Sequence, residues 1–338
     1  MSYFDFSLFM LLRNSATNHS LKLVFGMLSL ACFSVLHSCA KDGFFEYVIS
    51  DEIVDSIYVE PAPYVDLAGR WNKVNEFAPL GFSHQSAAAY GDYAFFVTKG
   101  RSKIHMYNLR KKSSLFVLKL KGVDSKIYHC NQCSFGIDKF DSSDPFPLLY
   151  ISQNAKSDKR CFLEVYRILP VFDEELNDYS SFSISLVQTV FFPAMSSENS
   201  LGNVNCAIDT DECVMYTYSR NNDSQDDNYG QCKITKFNIP DFREMNVYLE
   251  DESILSSFFV DCEAFNMQGG FVKNNVLYIG QGYLIAGYII LNIIDLKEQE
   301  ILQRIDLQKC SVSWEPEGCF FYDGSVMISH TSAISTVE

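Results

Sequence analysis

Apolar residues in this chain come in short runs of four to eight, broken by Gly, Asn and Asp, and no helical spacing is sustained beyond about ten positions. Five of these runs align with one another. His84-Gln85-Ser86 leads into AAAYGDYAFFVT, and Asn131-Gln132-Cys133 leads into SFGIDKFDSSDPFPLLYIS. Val204-Asn205-Cys206 leads into AIDTDECVMYTYS, Met267-Gln268-Gly269 into GFVKNNVLYIGQG, and Pro316-Glu317-Gly318 into CFFYDGSVMISH. Each copy has a polar amide or acid, a small residue, an apolar strand, a turn, and a second apolar strand. Gly91-Asp92, Asp209-Thr210-Asp211, Asn274-Asn275 and Asp323-Gly324 supply hairpin turn chemistry, and the second copy carries a longer acidic loop over 138–145.

A third strand follows each of the first four pairs, as KIHMYNL (103–109), FLEVYRIL (162–169), KITKFNI (233–239) and YIILNIIDL (288–296). Fourth strands read as LFVLKL (115–120), FSISLVQTVFF (182–192), ILSSFFV (254–260) and ILQRIDL (301–307). Four antiparallel strands repeated about an axis make a β-propeller blade. The repeated polar positions 85, 132, 205, 268 and 317 are 47, 73, 63 and 49 residues apart, which suits one blade per copy with insertions. The last copy has room for a third strand in SAISTVE (332–338) but lacks an outer one, while WNKVNEFAPL (71–80) is left over ahead of the first copy. Pairing these ends closes the circle and removes two exposed edges. The expected fold is therefore all-β, a propeller of five four-stranded blades closed by an N-terminal strand. Six blades are the alternative, and would need another copy inside one of the two longer gaps.

Residues 23–36, LVFGMLSLACFSVL, carry no charge and follow Arg13 and Lys22. That run is shorter than the roughly 20 residues a bilayer core requires and fits the apolar region of a signal peptide. It ends in Leu36-His37-Ser38-Cys39, which resembles a bacterial lipobox, in the looser form with Ser before Cys found in the Bacteroidetes. Together with the strand pattern, it makes the chain resemble the β-propeller lipoproteins of the Bacteroidetes cell envelope, loosely the TolB-like ones. The resemblance implies a signal peptide over 1–38, lipid on Cys39, a linker over 39–66 and a propeller over 67–338. It also implies a location in the cell envelope, anchored by lipid to the bacterial, and specifically outer, membrane.

The composition narrows the partners. With 27 Lys+Arg against 42 Asp+Glu the chain carries a formal −15, the reverse of what phosphate recognition needs, so nucleic acid is excluded. The 28 Phe and 19 Tyr favour strands, and 47% hydrophobic residues exclude disorder. Of the 11 cysteines, Cys130 and Cys133 form a lone C-x-x-C without the second pair that zinc would need. Cys133, Cys206 and Cys319 occupy small positions of the repeat and read as core. The histidines have no ligand spacing, and Asp223, Asp226 and Asp227 lack the EF-hand order, so no metal and no cofactor is expected.

Candidate chemistry sits on the repeated polar position. Inner strands line a propeller's channel, so Gln85, Gln132, Asn205, Gln268 and Glu317 are expected to project onto one face, with His84 and Trp314 beside them. Amides both donate and accept, and an indole offers a stacking surface, which suits a glycan, peptide or protein ligand. Equally, such residues can cap strand starts by bonding the next blade's backbone. The expected function is a non-catalytic, monomeric binding lipoprotein. The alternative is a glycan hydrolase, because Glu317 with Glu315, Glu263 or Asp261 could supply the two carboxylates that reaction uses.

Overall fold

A computed structural model describes residues 74–98, 103–119, 128–155, 161–192, 204–262, 266–283, 288–310, 314–330 and 333–337. All of them fall in the compact unit Val59–Glu338. Residues 1–38, expected as a signal peptide, Cys39, the expected linker and Glu263 lie outside the described residues.

The first strand, β1 (Val74–Pro79), belongs to the last blade. Blade I is β2 (Ser86–Tyr90), β3 (Tyr93–Val97), β4 (Lys103–Asn108) and β5 (Ser113–Lys119). Blade II is β6 (Tyr128–Phe135), β7 (Leu149–Ala155), β8 (Cys161–Asp173) and β9 (Asp178–Phe191). In blade III, β10 (Asn205–Asp209), β11 (Val214–Arg220) and β12 (Cys232–Asn238) are separated from the outer β14 (Ile254–Val260) by a short strand, β13 (Asn246–Tyr248). Blade IV is β15 (Met267–Lys273), β16 (Val276–Tyr283), β17 (Tyr288–Asp295) and β18 (Glu300–Asp306). Blade V is β19 (Pro316–Tyr322), β20 (Ser325–His330) and β21 (Ala333–Val337), and β1 pairs with β21 to complete it, Val74 opposite Val337. The chain is a five-bladed β-propeller.

Turn chemistry explains the hairpins. Asn274 and Asn275 (φ 52° and 61°) and Asp323 and Gly324 (φ 48° and 76°) take two successive left-handed residues, the type I′ geometry that matches strand twist. Helix is confined, among the described residues, to a single 3-10 turn, Asp251–Ser253. None is long and apolar enough to cross a membrane.

The hydrophobic core is five slabs, one between each pair of neighbouring blades. Phe95, Ile104 and Met106 of blade I meet Phe135, Leu149 and Ile151 of blade II. Tyr150 and Val165 meet Cys206 and Met215 between II and III, and Tyr218 and Ile234 meet Leu277 and Ile279 between III and IV. Leu291 and Ile293 meet Cys319 and Ile328 between IV and V, while Phe320 and Met327 meet Phe96 and Ala87 across the closing seam. Middle strands are covered on both faces, so β11 is buried continuously from Val214 to Ser219 instead of alternating. Outer strands such as β18 alternate.

Blade II departs from the four-strand expectation. The segment between β12 and β14 does not stay in blade III; it sends β13 across to pair in parallel with β9, Asn246 opposite Thr189. Gln188 holds the approach, its Nε2 donating to the Asp241 carbonyl at 2.7 Å and the Glu244 carbonyl at 2.9 Å. The pairing covers an outer edge that would otherwise present unpaired backbone.

Candidate functional site

Call the end where the inner strands β2, β6, β10, β15 and β19 begin the upper face. There the pairing of three inner strands is interrupted: the register skips Asn131 in β6, Gln268 and Gly269 in β15, and Glu317 in β19. Bulges of this kind re-aim side chains, and they occur at the repeated polar position in β15 and β19 and one residue before it in β6.

Two of the five repeated residues serve the backbone. Gln132 is fully buried and reaches across the axis from blade II to blade IV. Its Oε1 accepts the Gly270 N–H at 2.9 Å and the Ser86 hydroxyl at 3.1 Å, and its Nε2 donates to the Gly270 carbonyl. The amide thus pairs with β15 as another strand would. The fit leaves no side-chain space at Gly269, where a Cβ would lie 2.5 Å from Ser86 Oγ and 2.7 Å from Gln132 Oε1. Asn205, also buried, donates from Nδ2 to the carbonyls of Met267 (3.2 Å) and Gln268 (3.3 Å) in the next blade. Serines do the same work: Ser86 accepts the Cys133 N–H at 3.1 Å, and Ser134 accepts that of Ile208 at 3.2 Å. An inner strand has no sheet neighbour on its axial side, so its buried N–H and C=O groups need such partners.

The other three, together with Glu315, form two amide–carboxylate pairs between blades. Gln85 donates from Nε2 to Glu317 Oε2 at 2.9 Å, joining blades I and V. Gln268 donates from Nε2 to Glu315 Oε1 at 2.6 Å, joining blades IV and V. Glu317 is buried, whereas Gln85, Gln268 and Glu315 are half-buried. Trp314, next to Glu315 in sequence, is 53% exposed.

His84 stands apart from this rim. It is 1% exposed, packed edge-on against Phe96 (4.9 Å between centroids) in the seam between blades V and I. Nearby Phe82 stacks on His105 at 3.8 Å, and His330 Nε2 shares a hydrogen bond of 3.0 Å with Ser335. Burial, with smaller contributions from His330 and His105, drives His84 down to about 3; burial likewise takes His330 to about 4. These are neutral core histidines. Asp261 lies exposed just after β14. Asp209 is buried and its Oδ1 accepts the N–H groups of Asp211 (3.0 Å) and Glu212 (3.1 Å), so it organises the β10–β11 turn, and burial raises its pKa. Asp223 and Asp226 likewise accept backbone N–H groups within their own loop, from Gln225 (3.0 Å) and Asn228 (2.8 Å). Among the described residues no three His, Cys, Asp or Glu side chains are placed to hold a metal ion.

A feature absent from the sequence reading lies at the opposite, lower end of the axis. A cavity of about 390 Å³ is bordered by Tyr90, Ser134, Phe271 and Phe321, with Lys139 and Lys273 among its lining. Each of these residues is unexceptional within its own repeat. Only closure of the circle brings the five strand ends together, so no local signal marks them.

No protein-family model matches the chain, and no curated protein matches it. Solved structures do. Glutaminyl cyclase of Myxococcus xanthus superposes with a TM-score of 0.43 at 10% identity, over 80% of this chain and 95% of that one. A luciferin-regenerating enzyme superposes with a TM-score of 0.41 at 10% identity, over 78% of this chain and 94% of that one. The architecture rests on the strand pairing itself.

Proposed function

We propose that the chain is an exported, lipid-anchored binding protein of the bacterial cell envelope, of the Bacteroidetes propeller type, whose upper rim takes a hydroxyl-rich glycan without turning it over. The observation that carries this reading is the pair of inter-blade contacts Gln268–Glu315 (2.6 Å) and Gln85–Glu317 (2.9 Å) on the same rim as the exposed Trp314. Carboxamides and carboxylates held in fixed positions offer both donors and acceptors to sugar hydroxyls. An exposed indole presents an apolar face to the C–H groups of a pyranose. The acidic body, −15 in all, repels polyanions and leaves a neutral glycan as the suitable class. Cys39 is the anchoring residue in this account, with residues 1–38 removed on export.

The test is an immobilised-glycan screen with the detergent-solubilised full chain, followed by calorimetry on the best binder. Trp314→Ala should weaken binding roughly tenfold, about 1.4 kcal/mol, and Glu315→Gln should weaken it as well. Unchanged affinity in both variants refutes the reading. If a polysaccharide is instead cleaved, and Glu317→Gln abolishes cleavage, the chain is a hydrolase. If only a peptide or protein is captured, the glycan assignment fails.

A further inference from the structure

Cys232 opens β12, and Cys262 lies two residues past the end of β14, at the upper face of blade III. The register sets Cys232 opposite Val260. A tight turn closed by the Cys262 N–H on the Val260 carbonyl (3.0 Å) then brings Cys262 back beside Cys232. Both side chains are fully buried in the core between blades III and IV. The Cys232 thiol reaches the Lys233 carbonyl at 4.0 Å, and the two thiols lie close enough for each to influence the other's ionisation.

The surroundings of the two sulfurs differ. The Cys232 thiol, and after it the nearby Arg304, favour the thiolate at Cys262 and hold its pKa below the usual range. Arg304 is fixed there by a hydrogen bond from Nη2 to the Cys262 carbonyl at 3.4 Å. Burial pushes Cys232 well up. One sulfur is therefore set up to attack and the other to follow, the arrangement thiol–disulfide exchange requires. Other buried cysteines have different contacts. Cys133 points to the Phe95 carbonyl (3.8 Å), Cys130 contacts the Gln153 amide (3.4 Å), and burial raises Cys206 and takes Cys319 to about 12.

We propose that Cys232 and Cys262 form a redox-active dithiol that closes into a disulfide within blade III by exchange with an external disulfide. The Cys262 thiolate attacks one sulfur of the external disulfide; that S–S bond breaks and one thiolate leaves. Cys262 is then a mixed disulfide. Cys232 gives up its proton and attacks the Cys262 sulfur, forming the Cys232–Cys262 bond and expelling the second thiolate. Two protein thiols are oxidised by two electrons, the external disulfide is reduced to two thiols, and the two protons pass to the departing thiolates. Because both sulfurs are buried, exchange proceeds through local opening around Cys262 itself. Closure ties the start of β12 to the chain leading into β15, and so to Gln268. It does not depend on the glycan reading.

The experiment is a redox titration of the full chain in mixtures of oxidised and reduced glutathione, quenched by alkylation and mapped by peptide mass spectrometry. The expected product is a linked peptide pair containing Cys232 and Cys262, with Cys133, Cys206 and Cys319 recovered as alkylated thiols. Oxidation should raise the Tm of the wild type by roughly 5–10 °C and leave Cys232→Ala and Cys262→Ala unshifted. If a variant does not fold, the wild-type peptide map decides alone. The proposal is overturned if both cysteines stay alkylatable in fully oxidised glutathione, if Cys262 stops at the glutathione adduct, or if either pairs with a different cysteine.

Discussion

Acidification should loosen the seam where the propeller closes. His84 and His330 are buried there, 1% and 2% exposed, and are held neutral down to about 3 and about 4. In the unfolded chain each titrates near 6.5. Both folded values lie below the unfolded one, so the unfolded chain binds more protons across this window. Stability is whole above pH 6.5 and falls as pH drops toward 4. Each histidine contributes a slope of about 1.4 kcal/mol per pH unit, so at about pH 4.5 each has withdrawn roughly 2–3 kcal/mol. The two together remove about 5 kcal/mol, a large part of the 5–15 kcal/mol typical of a folded domain.

Replacing His84 by leucine isolates this effect from the carboxylates, which titrate alike in both proteins. His84 makes no well-formed side-chain hydrogen bond and sits against Phe82 and Phe96, so the apolar residue should be tolerated at neutral pH. The assay is urea unfolding followed by fluorescence between pH 7 and pH 4.5 at constant ionic strength. The wild-type curve should fall more steeply by about one proton, so that the variant gains roughly 2–3 kcal/mol relative to it at about pH 4.5. Parallel curves for the two proteins would refute the reasoning.

Gln132→Ala should cost about 2–4 kcal/mol in urea unfolding, because it leaves the buried N–H and C=O of Gly270 without their partner. A loss under 1 kcal/mol would mean that water replaces the amide. Gln188→Ala should release the β13 latch, since it removes bonds to the Asp241 and Glu244 carbonyls. Limited proteolysis should then cut between 239 and 250 at least several-fold faster, with global stability reduced by about 1–2 kcal/mol. Labelled palmitate should attach to the full chain expressed in a bacterial host and fail to attach to Cys39→Ala; labelling that survives the substitution would remove the anchor.

Much of the fold was legible because each blade repeats its own local signals. Asn274-Asn275 and Asp323-Gly324 announce tight hairpins, and VNEFAP at 74–79 is a strand without a local partner, which closure supplies. The route of β13 was not legible. Asn-Val-Tyr at 246–248 is too short to mark a strand, and its partner β9 lies 57 residues earlier by the Asn246–Thr189 pairing. The candidate site was readable only as a set of residue types. The repeat identified Gln85, Gln132, Asn205, Gln268 and Glu317 as equivalent, yet Gln132 and Asn205 cap backbone while Gln85 and Gln268 meet carboxylates. Equivalent positions diverge because their partners come from other blades: backbone of blade IV faces Gln132 and Asn205, whereas the carboxylates of Glu317 and Glu315 face Gln85 and Gln268.

The sequence by itself determined that the chain forms short strands, that they come in five matched sets, and that the first strand completes the last blade. Periodicity and turn residues act over a few positions and need no tertiary context. Tertiary structure alone decided which polar side chains face the axis, which face the rim, and which thiols meet. Those outcomes depend on close approaches between blades, such as Gln132 against Gly270 or Cys232 against Cys262, and a side chain's partner across a closed circle leaves no trace in its own neighbourhood.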